Sequence, residues 1–286
     1  MDYKYLTNWF DSISLKEDIE INGDYFREDL DFCCKIVKSK NMWPGYKDVV
    51  IPNFYNGKDV VSVGEEAFIN CNSLEVVIIE QGIKYIESSA FENCKNLKRV
   101  YLPNTIESIA YTAFLGCDNL KEVSCIEGMR RFECGWFNFY TNNILINIPK
   151  TVEEIEFDSW YGLNLIIDDN NPTYKRFDNF IINKKTKTLE TCLSYDGDDC
   201  PVDVIIPEGI KVIKGARIPV VQKELIIPEG VEGICCGAFD LSGYIEEITI
   251  FLPSTLKHLE KGAFEYLESD SYKVKFVFQN GINSEF

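Results

Sequence analysis

The sequence is short of the residues on which catalytic triads and many metal sites depend. It contains a single histidine, His258. No Ser/His/Asp or Cys/His set has supporting spacing, and no glycine-rich phosphate-binding motif follows a strand. A lone histidine lacks the partners of a general base, so we expect a solvent-exposed side chain at this position. The sequence therefore predicts a protein that is not an enzyme and has no catalytic or cofactor-binding residue.

Positive charge is also scarce. The 29 Lys and Arg residues stand against 46 Asp and Glu residues, which gives a formal net charge of −17. Nucleic acids and anionic membrane surfaces are bound largely by Lys and Arg, so this balance argues against both kinds of partner. The charge permits basic partners, although a solvated acidic surface is the simpler interpretation.

Long apolar runs are missing. No run of about 18 or more apolar residues occurs, so no membrane-spanning helix is predicted. The start, Met1–Leu6, has neither the basic region nor the apolar region of a signal peptide, and we interpret the chain as cytoplasmic. If the sequence is a trimmed piece, the alternative location is the cell surface or the exterior.

Cysteine, in contrast, is plentiful, with 11 residues. Cys71, Cys94 and Cys117 are evenly spaced along the chain. This spacing predicts a ladder of buried thiols, because free cysteine behaves as a small apolar side chain. The adjacent pairs Cys33–Cys34 and Cys235–Cys236 have poor geometry for a tetrahedral zinc ion, so no metal site is predicted. Unpaired thiols favour a reducing compartment.

A repeat of about 23 residues, a period typical of stacked repeat architectures, dominates the sequence. Between Ile83 and Cys125 the pattern Ile-x-x-Ile-x-x-x-Ala-Phe-x-x-Cys-x-x-Leu-x-x-Val occurs twice. A preceding copy starts at Val60, and the pattern returns after Val204. One such unit cannot bury its apolar residues alone, whereas stacked units share a continuous core. The sequence therefore predicts a repeat solenoid.

Each repeat contains a strand and a tight turn. The segment Leu97–Pro103 alternates apolar and polar residues, which predicts a short strand that ends at the proline. The segment Ala90–Leu97 has apolar residues at steps of three, which predicts a helical or 3-10 turn on the outer side. Equivalent strands are expected to lie side by side in parallel, about 4.8 Å apart.

The repeat resembles that of the BspA-type leucine-rich repeat family. Residues Val63–Cys71 match its Ile-Gly-x-x-Ala-Phe-x-x-Cys core, and Asn171–Tyr174 matches the Asn-Pro-x-Tyr turn of a longer variant unit. The resemblance covers about residues 48–280. It implies a right-handed leucine-rich-repeat superhelix, α/β to mainly β, with a parallel concave sheet and short helical or 3-10 turns outside. It also implies a bacterial source, no catalytic residues and, in many members, adhesion to host proteins or cells.

Two regions depart from the repeat. Residues 1–45 are predicted to be an N-terminal cap, since a repeat array needs a covered end, or else a small interaction module. Residues 46–286 are predicted to be the solenoid, with an irregular aromatic segment and a hairpin-like insert at 126–200. Its acidic loop Asp196–Asp199 lacks the ligand spacing of an EF-hand.

The aromatic residues of that segment are expected to fill an irregular coil, because aromatic side chains bury large areas. A ligand-facing aromatic patch is the alternative. The residues concerned are Trp136, Phe137, Phe139, Tyr140, Phe157, Trp160 and Tyr161.

The predicted interaction surface consists of outward side chains on the strands, which alternate with buried ones. In the first coils these residues are Val76, Ile78, Arg99, Tyr101, Glu122 and Ser124. In later coils they are Glu224, Ile226, Glu247, Thr249, Lys275 and Val277. Exposed Val76, Ile78 and Tyr101 would be an unusual patch for an idle surface, unless cap residues cover them.

Arg99 and Tyr101 belong to the residue types that often anchor binding, so the first coils are predicted to form a protein-binding face. The sequence does not name the partner. Two alternatives stay open: a secreted or surface adhesin that recognises host protein or glycan, and a metal-binding protein or enzyme that uses residues 126–200.

Overall fold

The computed structural model describes residues 19–27, 30–39, 47–55, 58–137, 144–157, 163–193, 204–241, 247–265 and 273–279. The chain divides into two compact units, unit 1 (Met1–Asp168) and unit 2 (Asp169–Phe286). The division falls within the segment 126–200 that departs from the repeat. Both units are stacks of β coils, and the predicted repeat solenoid is confirmed as the fold class.

The strands of unit 1 are β1 (Ile19–Arg27), β2 (Leu30–Ser39), β3 (Asp48–Ile51), β4 (Phe54–Tyr55), β5 (Lys58–Val63), β6 (Val76–Ile79), β7 (Tyr85–Ile86), β8 (Arg99–Leu102), β9 (Ser108–Ile109), β10 (Glu122–Cys125), β11 (Arg131–Glu133), β12 (Ile144–Ile148), β13 (Glu154–Glu156) and β14 (Leu163–Ile167). The 3-10 helix Cys134–Trp136 is the one helix among the described residues of the chain.

The main sheet of unit 1 contains one strand from each coil. Its six parallel strands follow the order β14-β12-β10-β8-β6-β3. Equivalent repeat positions pair directly, so that Val77 lies beside Val100 and Val100 beside Val123. All three valines are 0% exposed. The constant repeat period therefore keeps the same side chains inward in every coil, as the pattern predicts.

A second parallel sheet was not predicted from the sequence. Its strands β5, β7 and β9 pair through Val63, Ile86 and Ile109, the second apolar position of the repeat. β7 and β9 are two residues long, too short to show the alternation that marks a strand. The antiparallel hairpin β1–β2 adds to this sheet through β5. The cap role of residues 1–45 stays a prediction.

The third side of each coil is a run of tight turns. Backbone amides donate to carbonyls three residues earlier, as from Cys71 to Phe68 at 3.2 Å and from Leu74 to Cys71 at 3.2 Å. Such hydrogen bonds are of the 3-10 type. Neighbouring coils are also joined here, since Phe68 N donates to Ala90 O at 2.7 Å. The predicted 3-10 turns are thus present without forming regular helices.

Phenylalanines form a column through the core of unit 1. The ring centroids of Phe68 and Phe91 are 5.2 Å apart, and those of Phe91 and Phe114 are 5.1 Å apart. Phe137, in the irregular segment, continues the column 5.5 Å from Phe114. Its neighbour Trp136 is buried as well, as expected of aromatic filling. Phe139, Tyr140, Trp160 and Tyr161 lie outside the described residues.

The predicted thiol ladder runs beside the phenylalanine column. Cys71, Cys94 and Cys117 are buried and free. The Cys94 and Cys117 thiols donate to the carbonyls of Phe68 and Phe91, each at 3.1 Å. Burial raises the pKa of Cys71 to about 12, so this thiol stays protonated at neutral pH.

The strands of unit 2 are β15 (Tyr174–Phe177), β16 (Phe180–Asn183), β17 (Thr188–Cys192), β18 (Val212–Ile213), β19 (Ile218–Pro219), β20 (Glu224–Ile226), β21 (Gly233–Ile234), β22 (Phe239–Asp240), β23 (Glu247–Leu252), β24 (His258–Leu259), β25 (Phe264–Glu265) and β26 (Lys273–Phe278). They form three sheets, in the orders β15-β16-β17-β18-β21-β24, β19-β22-β25 and β20-β23-β26.

The strands β15, β16 and β17 form two successive antiparallel pairs, and they lie within the segment 126–200 for which a hairpin-like insert is predicted. From β17 onward the pairing is parallel. The acidic loop Asp196–Asp199 lies outside the described residues.

One local register in unit 2 differs from the sequence pattern at Arg217. An alignment on Ala216 puts Arg217 at the phenylalanine position of the repeat, but Ile218 is the residue that pairs with Phe239. Ile218 is also 0% exposed. The cause is that Ala216 comes one residue before the repeat alanine position, so an alignment that starts from it is shifted by one.

A second register difference concerns the outward residues of unit 2. The predicted order of outward residues sets Glu224 beside Glu247 and Ile226 beside Thr249. In the β20–β23 pair, however, Glu224 lies beside Thr249 and Ile226 beside Phe251, two residues further along β23. The strand β23 is longer than β20, and its extra residues hide this offset in the sequence.

Candidate protein-binding face

Two rows of side chains lie on the outward side of the main sheet in unit 1. They bring together all the residues predicted to form a binding face. The first row is Val76, Arg99, Glu122 and Leu145, and the second is Ile78, Tyr101, Ser124 and Asn147. We call these eight residues the unit 1 face. The rows are straight because every coil contributes the same strand position.

The expectation that Ile78 is exposed is wrong. Its side chain is 5% exposed. β6 is an internal strand, and Val50 and Tyr101 lie directly beside Ile78 on the two neighbouring strands. Val76 and Tyr101 are half-buried, and Arg99 is exposed. Ile78 is therefore too buried to contact a partner, and the surface available to a partner is centred on Arg99 and Tyr101.

A polar cluster lies beside these residues. Asn147 Nδ2 donates to Glu122 Oε1 at 3.1 Å and to Ser124 Oγ at 3.3 Å. Ser124 Oγ donates to the same carboxylate oxygen at 3.3 Å. These bonds hold the Glu122 carboxylate in one orientation, where it can accept a further hydrogen bond. Asn147 was missed because it lies in the irregular segment, although it is the outward position of the strand Ile146-x-Ile148.

Among the described residues, Arg99 makes no ion pair, whereas Lys47 and Lys98, which lie next to the first row, both do. Glu75 Oε1 and Oε2 bind Lys47 Nζ at 2.7 Å and Lys98 Nζ at 2.6 Å. Hydrogen bonds from Lys47 and then Lys98 lower the pKa of Glu75 to about 2. Arg99, in contrast, makes no ion pair with any described residue. A planar guanidinium can bind a carboxylate through two hydrogen bonds, so Arg99 is free to engage an acidic group.

Other candidate sites offer less. His258 lies exposed on β24. No three His, Cys, Asp or Glu side chains within the described ranges are grouped to hold a metal ion. An open depression of about 290 Å³ beside the second sheet of unit 1 is lined by Glu65, Tyr85, Glu87 and Ser108. Its described lining contains no histidine that could activate the Ser108 hydroxyl as a nucleophile.

Sequence comparison decides the family. A model described as BspA type leucine-rich repeat region matches residues 46–171 and 220–283, in six copies. The chain belongs to the BspA-type leucine-rich repeat family. A search of the curated proteins found no sequence that matches this BspA-type chain.

Solved structures also match this BspA-type protein. The pneumococcal vaccine antigen PcpA is 15% identical with a TM-score of 0.52, covering 93% of this chain and 81% of PcpA. A leucine-rich cell surface protein from Faecalibacterium prausnitzii is 18% identical, covering 87% of this chain and 72% of its own, with a TM-score of 0.38. A leucine-rich repeat protein from Bacteroides ovatus is 15% identical, with a TM-score of 0.39. The match covers 92% of this chain and 70% of the Bacteroides ovatus protein. The similarity to PcpA supports the leucine-rich repeat fold.

Membership of the family carries coarse functional information. BspA-type proteins are typically protein-binding or adhesin-like scaffolds on bacterial surfaces. Leucine-rich repeat proteins are generally non-catalytic. In the described part of this chain, no helix has the length and hydrophobicity needed to span a bilayer.

Proposed function

We propose that this BspA-type protein is a non-catalytic protein-binding scaffold and that the unit 1 face is its contact surface. The observation that carries the proposal is the exposed guanidinium of Arg99, which has no ion pair among the described residues and lies in a straight row between Val76 and Glu122. The family role as a scaffold supports the same conclusion.

The face suggests the chemistry of the partner. Arg99 would bind a carboxylate of the partner, and the half-buried ring of Tyr101 would cover an apolar side chain next to it. The Glu122 carboxylate, held by Ser124 and Asn147, would accept a hydrogen bond from a donor on the partner. A protein surface that presents an acidic residue beside an apolar one fits this arrangement.

The test is a double substitution, Arg99→Glu with Tyr101→Ala, in a pull-down from the native cell followed by mass spectrometry. We expect a partner captured by the parent chain to be lost, with the thermal melt unchanged. The matched control is Arg130→Glu with Tyr111→Ala, the same changes at two exposed positions of unit 1 away from the face. An equal loss in both variants, or in neither, would refute the assignment.

We infer a cytoplasmic location from the thiols. The eight cysteines whose side chains the structure describes are all free, and six of them are buried. Unpaired thiols are typical of reducing compartments. The second candidate is a surface adhesin for host protein or glycan, favoured by the usual location of the family. Brief protease treatment of intact cells separates the two, since only a surface protein would release peptides of this chain.

A further inference from the structure

A second outward surface, on the sheet β20-β23-β26 of unit 2, is not used by the proposed function. We call it the unit 2 face. One of its rows is Ile226, Phe251 and Val277, and the adjacent row is Glu224, Thr249 and Lys275. The first row is entirely apolar, and the second changes from acidic to basic across the sheet.

The apolar row is partly open to solvent, most of all at Ile226. Ile226 is 59% exposed, and Ile205, at the same repeat position one coil earlier, is 74% exposed. Phe251 and Val277 are half-buried. On the unit 1 face, the isoleucine of the corresponding row, Ile78, is only 5% exposed. Contiguous apolar side chains on a charged protein surface mark an interaction site.

The charged row is complementary to itself. Glu224 and Lys275 are exposed, and neither makes an ion pair with a described residue. They lie on the two outer strands with β23 between them. At a strand spacing of about 4.8 Å their backbones are about 10 Å apart, and the two side chains do not pair with each other within the chain. If a second copy packs face to face with the first and its strands run across the sheet in the reverse order, each Glu224 lies opposite Lys275 of the other copy.

We propose that the unit 2 face binds a second copy of this chain about a twofold axis parallel to its strands. In such an interface, when one residue contacts a second residue of the other copy, that second residue also contacts the first, and an axis along β23 brings β20 of one copy opposite β26 of the other. Glu224 then faces Lys275 of the second copy, Ile226 faces its Val277, and Phe251 faces its own counterpart. Apolar contact and two ion pairs form at once. This inference does not depend on the function proposed for the unit 1 face.

The dimer is expected to be weak. The sheet has three strands and spans about 10 Å from the first to the last at a spacing of about 4.8 Å. We therefore expect a contact smaller than the roughly 800 Å² per partner of a stable interface, and a dissociation constant that is micromolar or weaker. One contact opposes association, because Glu247 on β23 is exposed and would approach its own counterpart near the axis. Removing that charge should therefore tighten the dimer.

The test uses two charge reversals in the full chain, Glu224→Lys and Lys275→Glu. Each variant alone places like charges together twice, so we expect self-association at least about tenfold weaker than that of the parent. When the two variants are mixed in equal amounts, a dimer with one copy of each places a lysine opposite a glutamate at both contacts. Association should therefore return in the mixture. Sedimentation equilibrium between about 1 and 500 µM covers the expected range.

Two further variants guard against indirect effects. The double variant E224K/K275E should associate like the parent, and Glu247→Gln should associate more tightly, which a damaged fold would not do. A parent chain that stays monomeric throughout the range overturns the proposal. So do single variants that associate like the parent, or a mixture that fails to recover. The Arg99→Glu/Tyr101→Ala variant should dimerise normally, which keeps this test separate from that of the unit 1 face.

Discussion

Units 1 and 2 have the same interior and different exteriors. In unit 1, Phe68 and Phe91 stack with ring centroids 5.2 Å apart, and in unit 2 Phe239 and Phe264 stack at 5.1 Å. Outside, the unit 1 face presents an arginine with no ion pair among the described residues, whereas the unit 2 face presents an exposed isoleucine, Ile226. The repeat thus fixes the residue types at the buried positions. The two units differ at the outward strand positions, where the repeat does not fix the residue type, and we expect any difference in binding to arise there.

The largest effect is expected from the shared interior. Phe91 is 0% exposed and stacks on a phenylalanine on each side. Phe91→Ala should lower the free energy of unfolding by about 3–5 kcal/mol, because it removes buried area and leaves a cavity. Urea denaturation followed by circular dichroism measures the change. Phe239→Ala in unit 2 should give a loss of the same order.

The exposed aromatic Tyr111 provides the control for this experiment. It is 71% exposed, so Tyr111→Ala should change the stability by less than about 0.5 kcal/mol. A Phe91→Ala variant as stable as Tyr111→Ala would show that the column is not a stabilising core.

A smaller effect is expected on the unit 1 face alone. Arg99→Lys keeps the charge and removes the planar fork, so binding of the captured partner should weaken about tenfold. Biolayer interferometry with the purified partner measures the affinity. Arg130→Lys is the matched control, and the unit 2 variant Glu224→Lys should also bind normally. Unchanged affinity in Arg99→Lys would mean that Arg99 acts only as a point charge.

The smallest effect concerns a feature that both units share. Glu75 bridges Lys47 and Lys98, and Glu232 bridges Lys211 and Lys257. Hydrogen bonds from these lysines lower the pKa of each glutamate to about 2. A carboxylate with a lowered folded-state pKa contributes stability above its unfolded pKa, and this contribution is lost as pH falls through the folded value.

The parent should therefore lose slightly more stability than Glu75→Gln or Glu232→Gln when the pH falls from about 4.5 to about 2. Thermal melts across this interval measure the difference, and melts at pH 7 should show only a small deficit in the variants. Parallel pH curves for parent and variants would show that the bridges do not contribute.

The inward positions could be predicted from the sequence because each recurs at a constant period and one face is buried. Val77, Val100 and Val123 are buried and in register as expected. The second sheet could not be predicted, since two-residue strands such as β7 carry no period. An alignment on Ala216 puts Arg217 instead of Ile218 at the phenylalanine position, because Ala216 lies one residue before the position of the repeat alanine.

The surface was harder to predict, because outward positions obey no repeat. All the named residues of the unit 1 face lie together, yet Ile78 is covered by its neighbours, which no single strand reveals. Asn147 and Phe251 were missed, since one lies where the repeat is irregular and the other in a strand longer than its neighbour.

Val77 pairs with Val100, and Val100 pairs with Val123. Because these pairs are equivalent, a protein of this kind can gain or lose whole repeats during evolution. In the main sheet of unit 1, each strand pairs only with the strand of the coil before it and that of the coil after it, through equivalent positions. Deletion of one whole period would set Val77 against Val123, a match as good as the one lost. Unequal crossing-over within the gene could therefore shorten or extend the array by whole repeats while keeping the pairing of the buried valines.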